Sequence, residues 1–166
     1  IQPVIERATK LAADKTQPPA VRVQAVELLA LSSYANCGSS LLGLLEINEA
    51  LLKHLGGSWD NPPRLQPGWE QDPGLDDLTR KAHVLVKDFA ACNNWGWKDP
   101  RTTIILPFWQ KIIPNLRYVI CIRNPLEVAS SLAQRDGQSI PAAVHLWRHY
   151  TCQGILGTEG YPRVVT

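Results

Sequence analysis

The chain has 166 residues, 45% of them apolar and 19% charged, with a formal net charge of +2. That is the composition of a folded globular protein of about one domain, and it excludes a disordered chain. The charge is too small to argue for nucleic acid as a partner, so any anion site must be built locally from placed residues. Four cysteines (Cys37, Cys92, Cys121 and Cys152) share no CxxC pair and no spacing with histidines, which argues against zinc. No apolar run reaches membrane-spanning length and no signal-peptide pattern opens the chain. The chain begins at Ile1 without a methionine and closes on Tyr161 to Thr166, which reads as a strand just opening. A piece of a longer protein, cut at both ends, is therefore expected.

Residues 1 to about 55 read as helices. Val4 to Ala13 is apolar-periodic, and Pro18-Pro19 suits a helix start ahead of Ala20 to Leu31. After a polar break at Tyr34 to Ser40, Leu41, Leu44, Leu45, Ile47, Leu51, Leu52 and Leu55 form a broad helical face that ends at Gly56-Gly57. GGSWDNPPRLQPGWEQDP then reads as an ordered surface loop pinned by Trp59 and Trp69. Asp76 to Phe89 returns to helical period, and Asn93 to Trp97 is a short strand candidate.

The stretch Gly96 to Ser131, GWKDPRTTIILPFWQKIIPNLRYVICIRNPLEVASS, carries the chemistry. Asp99-Pro100 predicts a helix N-cap followed by proline at the first helical position. Ile104, Phe108 and Ile112 recur at intervals of four, as do Ile105, Trp109 and Ile113. Pro107 is expected to kink or split that helix, and Pro114 to end it. Leu116 to Ile122 reads as an apolar strand that buries Cys121, and a buried thiol points to a reducing, cytoplasmic location. Asn124, Pro125 and Glu127 predict N-cap, first position and capping-box acid of a helix that stops at Asp136-Gly137. A last helix is expected from Pro141 to about Ile155, carrying His145, Trp147, Arg148, His149 and Tyr150.

Two parallel strands joined through a helix bring both following turns to one sheet edge, where open α/β sheets bind ligands. Lys98, Arg101 and Arg123 are thus expected to converge on an anionic group. An arginine leaving a strand just before a helix N-terminus offers a planar fork of donors beside free backbone N–H groups. Against this stands a plain structural role, in which Arg123 pairs with Glu127 or a C-terminal carboxylate and Ser131 only packs.

IRNPLEVASS resembles the strand-end motif of sulfotransferases that use 3′-phosphoadenosine 5′-phosphosulfate (PAPS), and WGWKDPRTT is similar to a segment of the bacterial and tyrosylprotein-type members. INEALLKHLGGSWDNPP and the closing LWRHY and GYPRVV are similar to that family too, so the resemblance covers about residues 44–166. It implies an α/β fold with a P-loop-type three-layer parallel sheet, partial here and preceded by an α-helical segment. It implies PAPS as cofactor, with Arg123 and Ser131 on the 3′-phosphate, Arg101 beside them, and Lys98 as the catalytic cation near the transferring sulfonate. No metal is implied. The acceptor, a small molecule, glycan or protein bearing a hydroxyl or amine, is left open, with Glu46, Glu49, His54 and Asp60 as positional candidates for the general base.

One family element is missing: the Gly/Ser/Thr-rich loop that wraps the 5′-phosphosulfate. The only comparable string, Cys37-Gly38-Ser39-Ser40, follows an alanine-rich helix and has no basic neighbour. Whether the transferase is active or an inactive fragment is therefore open. Residues 1–43, with PPAVRVQAVELLALSSY, resemble a HEAT-like helical repeat. The alternative reading is accordingly a protein-interaction module, binding a partner through residues 1–55 beside a vestigial nucleotide scaffold. No Walker loop occurs anywhere, which ranks a P-loop kinase last.

Overall fold

The computed structural model describes residues 42–89 and 95–166, with isolated positions between 7 and 21. The HEAT-like segment, its Gly-Ser string, and Cys37 and Cys92 lie outside the described residues.

The first helix, α1, spans 42–54 and turns Leu44, Ile47, Leu51 and Leu52 into the core. It ends as the double glycine predicts. Gly56 adopts a left-handed φ of 75°, its N–H bonds Lys53 O at 3.1 Å, and Gly57 N–H bonds Leu52 O at 2.9 Å. This is a Schellman closure, and it costs a residue with a Cβ more than glycine. The Pro/Trp loop follows, with short 3-10 turns at Trp69–Gln71 and Pro73–Leu75. Helix α2 (Asp76–Asp88) adds Ala82 and, at its end, Phe89 to the same core.

Pro107 splits the following segment as expected. A 3-10 turn at Pro100–Thr103 is separated from helix α3 (Leu106–Ile112), which places Pro107 in the first turn of α3. There its missing N–H has no partner to lose. The two four-residue rows behave as one buried face: Ile104, Ile105, Phe108, Trp109 and Ile112 all lie in the core. About 25 cal/mol per Å2 of apolar burial makes this cluster the main source of cohesion.

Beyond α3 the chain runs β1 (Tyr118–Ile120), α4 (Pro125–Asp136), α5 (Ile140–Gly157) and β2 (Arg163–Val165). β1 and β2 are parallel, with Tyr118 opposite Arg163, Val119 opposite Val164 and Ile120 opposite Val165. The strand opening expected near Tyr161 is β2. Among the described residues, helices dominate and this pair is the whole sheet.

Two expectations need correction. Residues 95–97 are not a strand, and the parallel neighbour of β1 is β2. Trp95 and Trp97 still sit on one side of an extended chain, stacked at 5.8 Å, with Phe89 4.3 Å from Trp95 and Trp109 5.4 Å from Trp97. Aromatic stacking holds this stretch where a hydrogen-bonded ladder was expected. Cys121 is also exposed rather than buried. The two-stranded sheet is poorly covered: β2 is exposed throughout, and Val119 and Val164, on the same face as Cys121, are 72% and 60% exposed. An exposed Cys121 thiol does not point to a reducing compartment as a buried one would. No helix among the described residues is long and apolar enough to cross a membrane.

Candidate functional site

Two turns carry the residues singled out by the sequence, and they are built alike. In each, an Asx side chain caps a helical turn that begins with proline. Asp99 accepts from Arg101 N–H at 3.0 Å, and Asn124 accepts from Leu126 N–H at 2.9 Å.

The Asp99 turn is tied into the core. Asn48, fully buried on α1, donates through Nδ2 to Asp99 Oδ2 at 2.8 Å and to Thr102 Oγ1 at 3.0 Å. Its Oδ1 accepts from Trp109 Nε1 at 2.8 Å, and Trp97 Nε1 donates to Thr102 Oγ1 at 2.9 Å. Arg101 Nε donates to both Asp99 oxygens, at 3.1 and 3.0 Å, and its Nη1 donates to Glu49. The Arg101 side chain is 19% exposed and that of Asp99 6%. Burial disfavours the Arg101 charge, but the bonds to Asp99 and Glu49 outweigh it and leave the guanidinium's pKa raised. The charge of Arg101 is thus already compensated by two carboxylates. Next to this network, Tyr150 OH donates to Trp59 O at 2.7 Å, and burial, followed by the charge of Asp99, pushes its phenol well up.

The Arg123 turn is open. Its side chain is 69% exposed and, among the described residues, pairs only with Glu127 Oε2, at 4.0 Å, a contact worth little in water. Its carbonyl accepts from Trp147 Nε1 at 3.1 Å, which fixes the backbone while leaving the guanidinium outside. Arg123 precedes the N-cap of α4, and Glu127 and the exposed Ser131 lie four residues apart on one side of that helix. Glu127 faces Arg123 instead of completing a capping box.

Lys98 is exposed beside the first turn. No hydrogen bond or ion pair among the described residues joins Lys98 or Arg101 to Arg123 or Ser131. Of the base candidates, Glu49 is engaged by Arg101, His54 sits 3.2 Å from Asp72, and Asp60 accepts from Ser58 at 2.6 Å. Glu46 is exposed. No cluster of three or more metal-ligating side chains occurs among the described residues.

Sequence reasoning missed Asn48. Its signal was present, because it lies four residues after Leu44 on the apolar face of α1, where a polar side chain needs a buried partner. It also gave no role to a groove of about 790 Å3 between the Pro/Trp loop and α5, which Thr103, at the end of the Asp99 turn, helps to line. No family profile, curated protein or solved structure matches this chain.

Proposed function

We propose that the chain is part of a PAPS-dependent sulfotransferase, moving a sulfonate to a hydroxyl or amine acceptor, and that the Arg123 turn is its 3′-phosphate site. The observation that carries this reading is an arginine at the end of a parallel strand whose guanidinium is exposed and almost unpaired, directly ahead of the capped N-terminus of a twelve-residue helix. Backbone N–H groups and the positive end of the helix add to that charge. Ser131, eight residues after Arg123 and within α4, supplies a hydroxyl for a second phosphate oxygen.

On this reading β1 and β2 belong to a larger three-layer parallel sheet of the P-loop type, and the protein works in the cytoplasm. Lys98 would meet the charge that develops on the sulfonate oxygens, as placed cations do in phosphoryl transfer. Arg101, spent on Asp99 and Glu49, holds the turn that presents Lys98 and leaves phosphate contact to Arg123. Nothing in this role requires a metal.

Calorimetry with adenosine 3′,5′-bisphosphate tests the nucleotide site. Binding should weaken at least about tenfold in Arg123→Ala, as expected for losing a charge-assisted phosphate contact. No heat at millimolar ligand, or unchanged affinity in Arg123→Ala, would overturn the reading.

A further inference from the structure

The groove between the Pro/Trp loop and α5 has walls whose hydrogen-bonding capacity is unspent. His145, His149 and Gln153 succeed one another at four-residue spacing along one side of α5, and all three line it. Facing them, the loop contributes Arg64, Asn61 and Gln66. None of these six side chains hydrogen-bonds or ion-pairs with another described residue. Between the polar rows lie apolar surfaces: Trp69 and Pro67 on the loop, Ile104 and Leu106 beneath.

Both walls are held in place before any ligand arrives. Trp59 O accepts the bond from Tyr150 OH on α5, the Arg135 guanidinium lies 5.7 Å from the Trp59 ring, and Trp69 packs against the core. Gly57 lets the loop close on itself, since a Cβ there would fall 2.4 Å from Pro63 Cδ. A volume of about 790 Å3 is that of a small-molecule cleft, and a preformed one costs little ordering entropy on binding.

Charge narrows the occupant. Asp60 and Glu70 bring two negative charges to the loop wall against one positive charge on Arg64. Burial, and next the charge of His145, hold the His149 pKa below its ordinary value, so His149 stays neutral near pH 7. A free anion gains nothing from this balance. A wholly apolar ligand would strip water from six unpaired polar groups without replacing it. What suits alternating planar polar groups and flat apolar faces is a molecule with hydroxyls around a ring and C–H faces above and below.

We infer that this groove is a binding site for an uncharged polyhydroxyl ligand of sugar type, held by His145, His149 and Gln153 against the Trp69 loop. The inference does not rest on the nucleotide reading and stands or falls separately from it.

Cellobiose serves as the probe, followed by the imidazole C2–H resonances of the whole chain. His54 and His83 lie outside the groove and act as internal references. Saturable shifts of His145 and His149 alone, in the millimolar range, are expected. His149→Ala and Gln153→Ala should each weaken binding by about fivefold, the equivalent of one net hydrogen bond. Gln153 is exposed, so its variant keeps the test valid if His149→Ala folds poorly. Three outcomes would overturn the inference: no saturable shift up to about 50 mM, equal shifts at His54 and His83, or tighter binding of glucuronate than of cellobiose.

Discussion

Asp99-Pro100-Arg101 and Arg123-Asn124-Pro125 are nearly the same local device with opposite fates. Each has an Asx cap, a proline at the start of a helical turn, and an arginine within two residues of the cap. At the first turn α1 delivers Asn48 and Glu49 from about fifty positions upstream, and the arginine becomes a structural tie. At the second, the one described residue that pairs with the guanidinium is Glu127, from the helix that follows it. The same residue type is spent in one place and available in the other because of its distant neighbours. Availability, more than the motif, is the reason to propose Arg123 as the phosphate-binding group.

The largest test of that contrast is at Asn48. Asn48→Leu keeps the volume but leaves Trp109 Nε1 without its acceptor and takes a donor from Thr102 Oγ1 and from Asp99 Oδ2, which keeps only Arg101 Nε. A loss of about 3 kcal/mol in urea unfolding is expected, from bonds broken on both sides of the amide and one of them to a charge. A loss under about 0.5 kcal/mol would mean that the network is slack. Next comes the pair of arginines. Arg101→Met should cost about 2 kcal/mol, because it takes the counter-charge from the nearly buried carboxylate of Asp99, which keeps only the bonds from Asn48 and the residue 101 N–H. Arg123→Met should change stability by less than about 0.5 kcal/mol, in keeping with an exposed contact at 4.0 Å. Equal costs would erase the distinction between the turns.

The first turn also carries a pH signature. Tyr150 is raised above its ordinary 10.0 by burial, then by the charge of Asp99. The unfolded chain therefore loses this proton first, so the contribution of Tyr150 to stability is full below pH 10 and erodes as pH rises past it. Tyr150→Phe forfeits the bond to Trp59 O and should be about 1 kcal/mol less stable than the parent at neutral pH. The gap should narrow above pH 10. A gap that is constant across alkaline pH would show that Tyr150 is not shielded.

Much of this was legible locally. The caps at Asp99 and Asn124, the split at Pro107, the glycine closure at Gly56-Gly57 and the four-residue rows of α3 all depend on neighbours within a turn or two, which the sequence prints side by side. What was not legible depends on partners far away. Trp95 and Trp97 have the alternation of a strand, but a strand also needs a neighbour to pair with, and stacking on Phe89 and Trp109 took that place. Cys121 lies in an apolar run that is buried only if both sheet faces are covered, and one is not. The groove could be half foreseen, since His145, His149 and Gln153 share a spacing, but only the fold brings the Pro/Trp loop over them.

Glu127 offers the finest test of the second turn. Among the described residues it is the one negative group paired with Arg123, it is 67% exposed, and it lies four residues before Ser131 on α4. A phosphate entering there must displace this carboxylate from the guanidinium and then sit close to it. The displaced pair is worth only a few tenths of a kcal/mol in water, and the residual repulsion is screened within about 10 Å at ordinary salt. Glu127→Gln keeps the shape and removes both penalties, so affinity for adenosine 3′,5′-bisphosphate should rise about two- to threefold. The gain should shrink at high salt, where the carboxylate is already screened. If Glu127→Gln weakens binding, the carboxylate is helping to orient Arg123, and the second turn would then resemble the first in using an acid to aim its arginine.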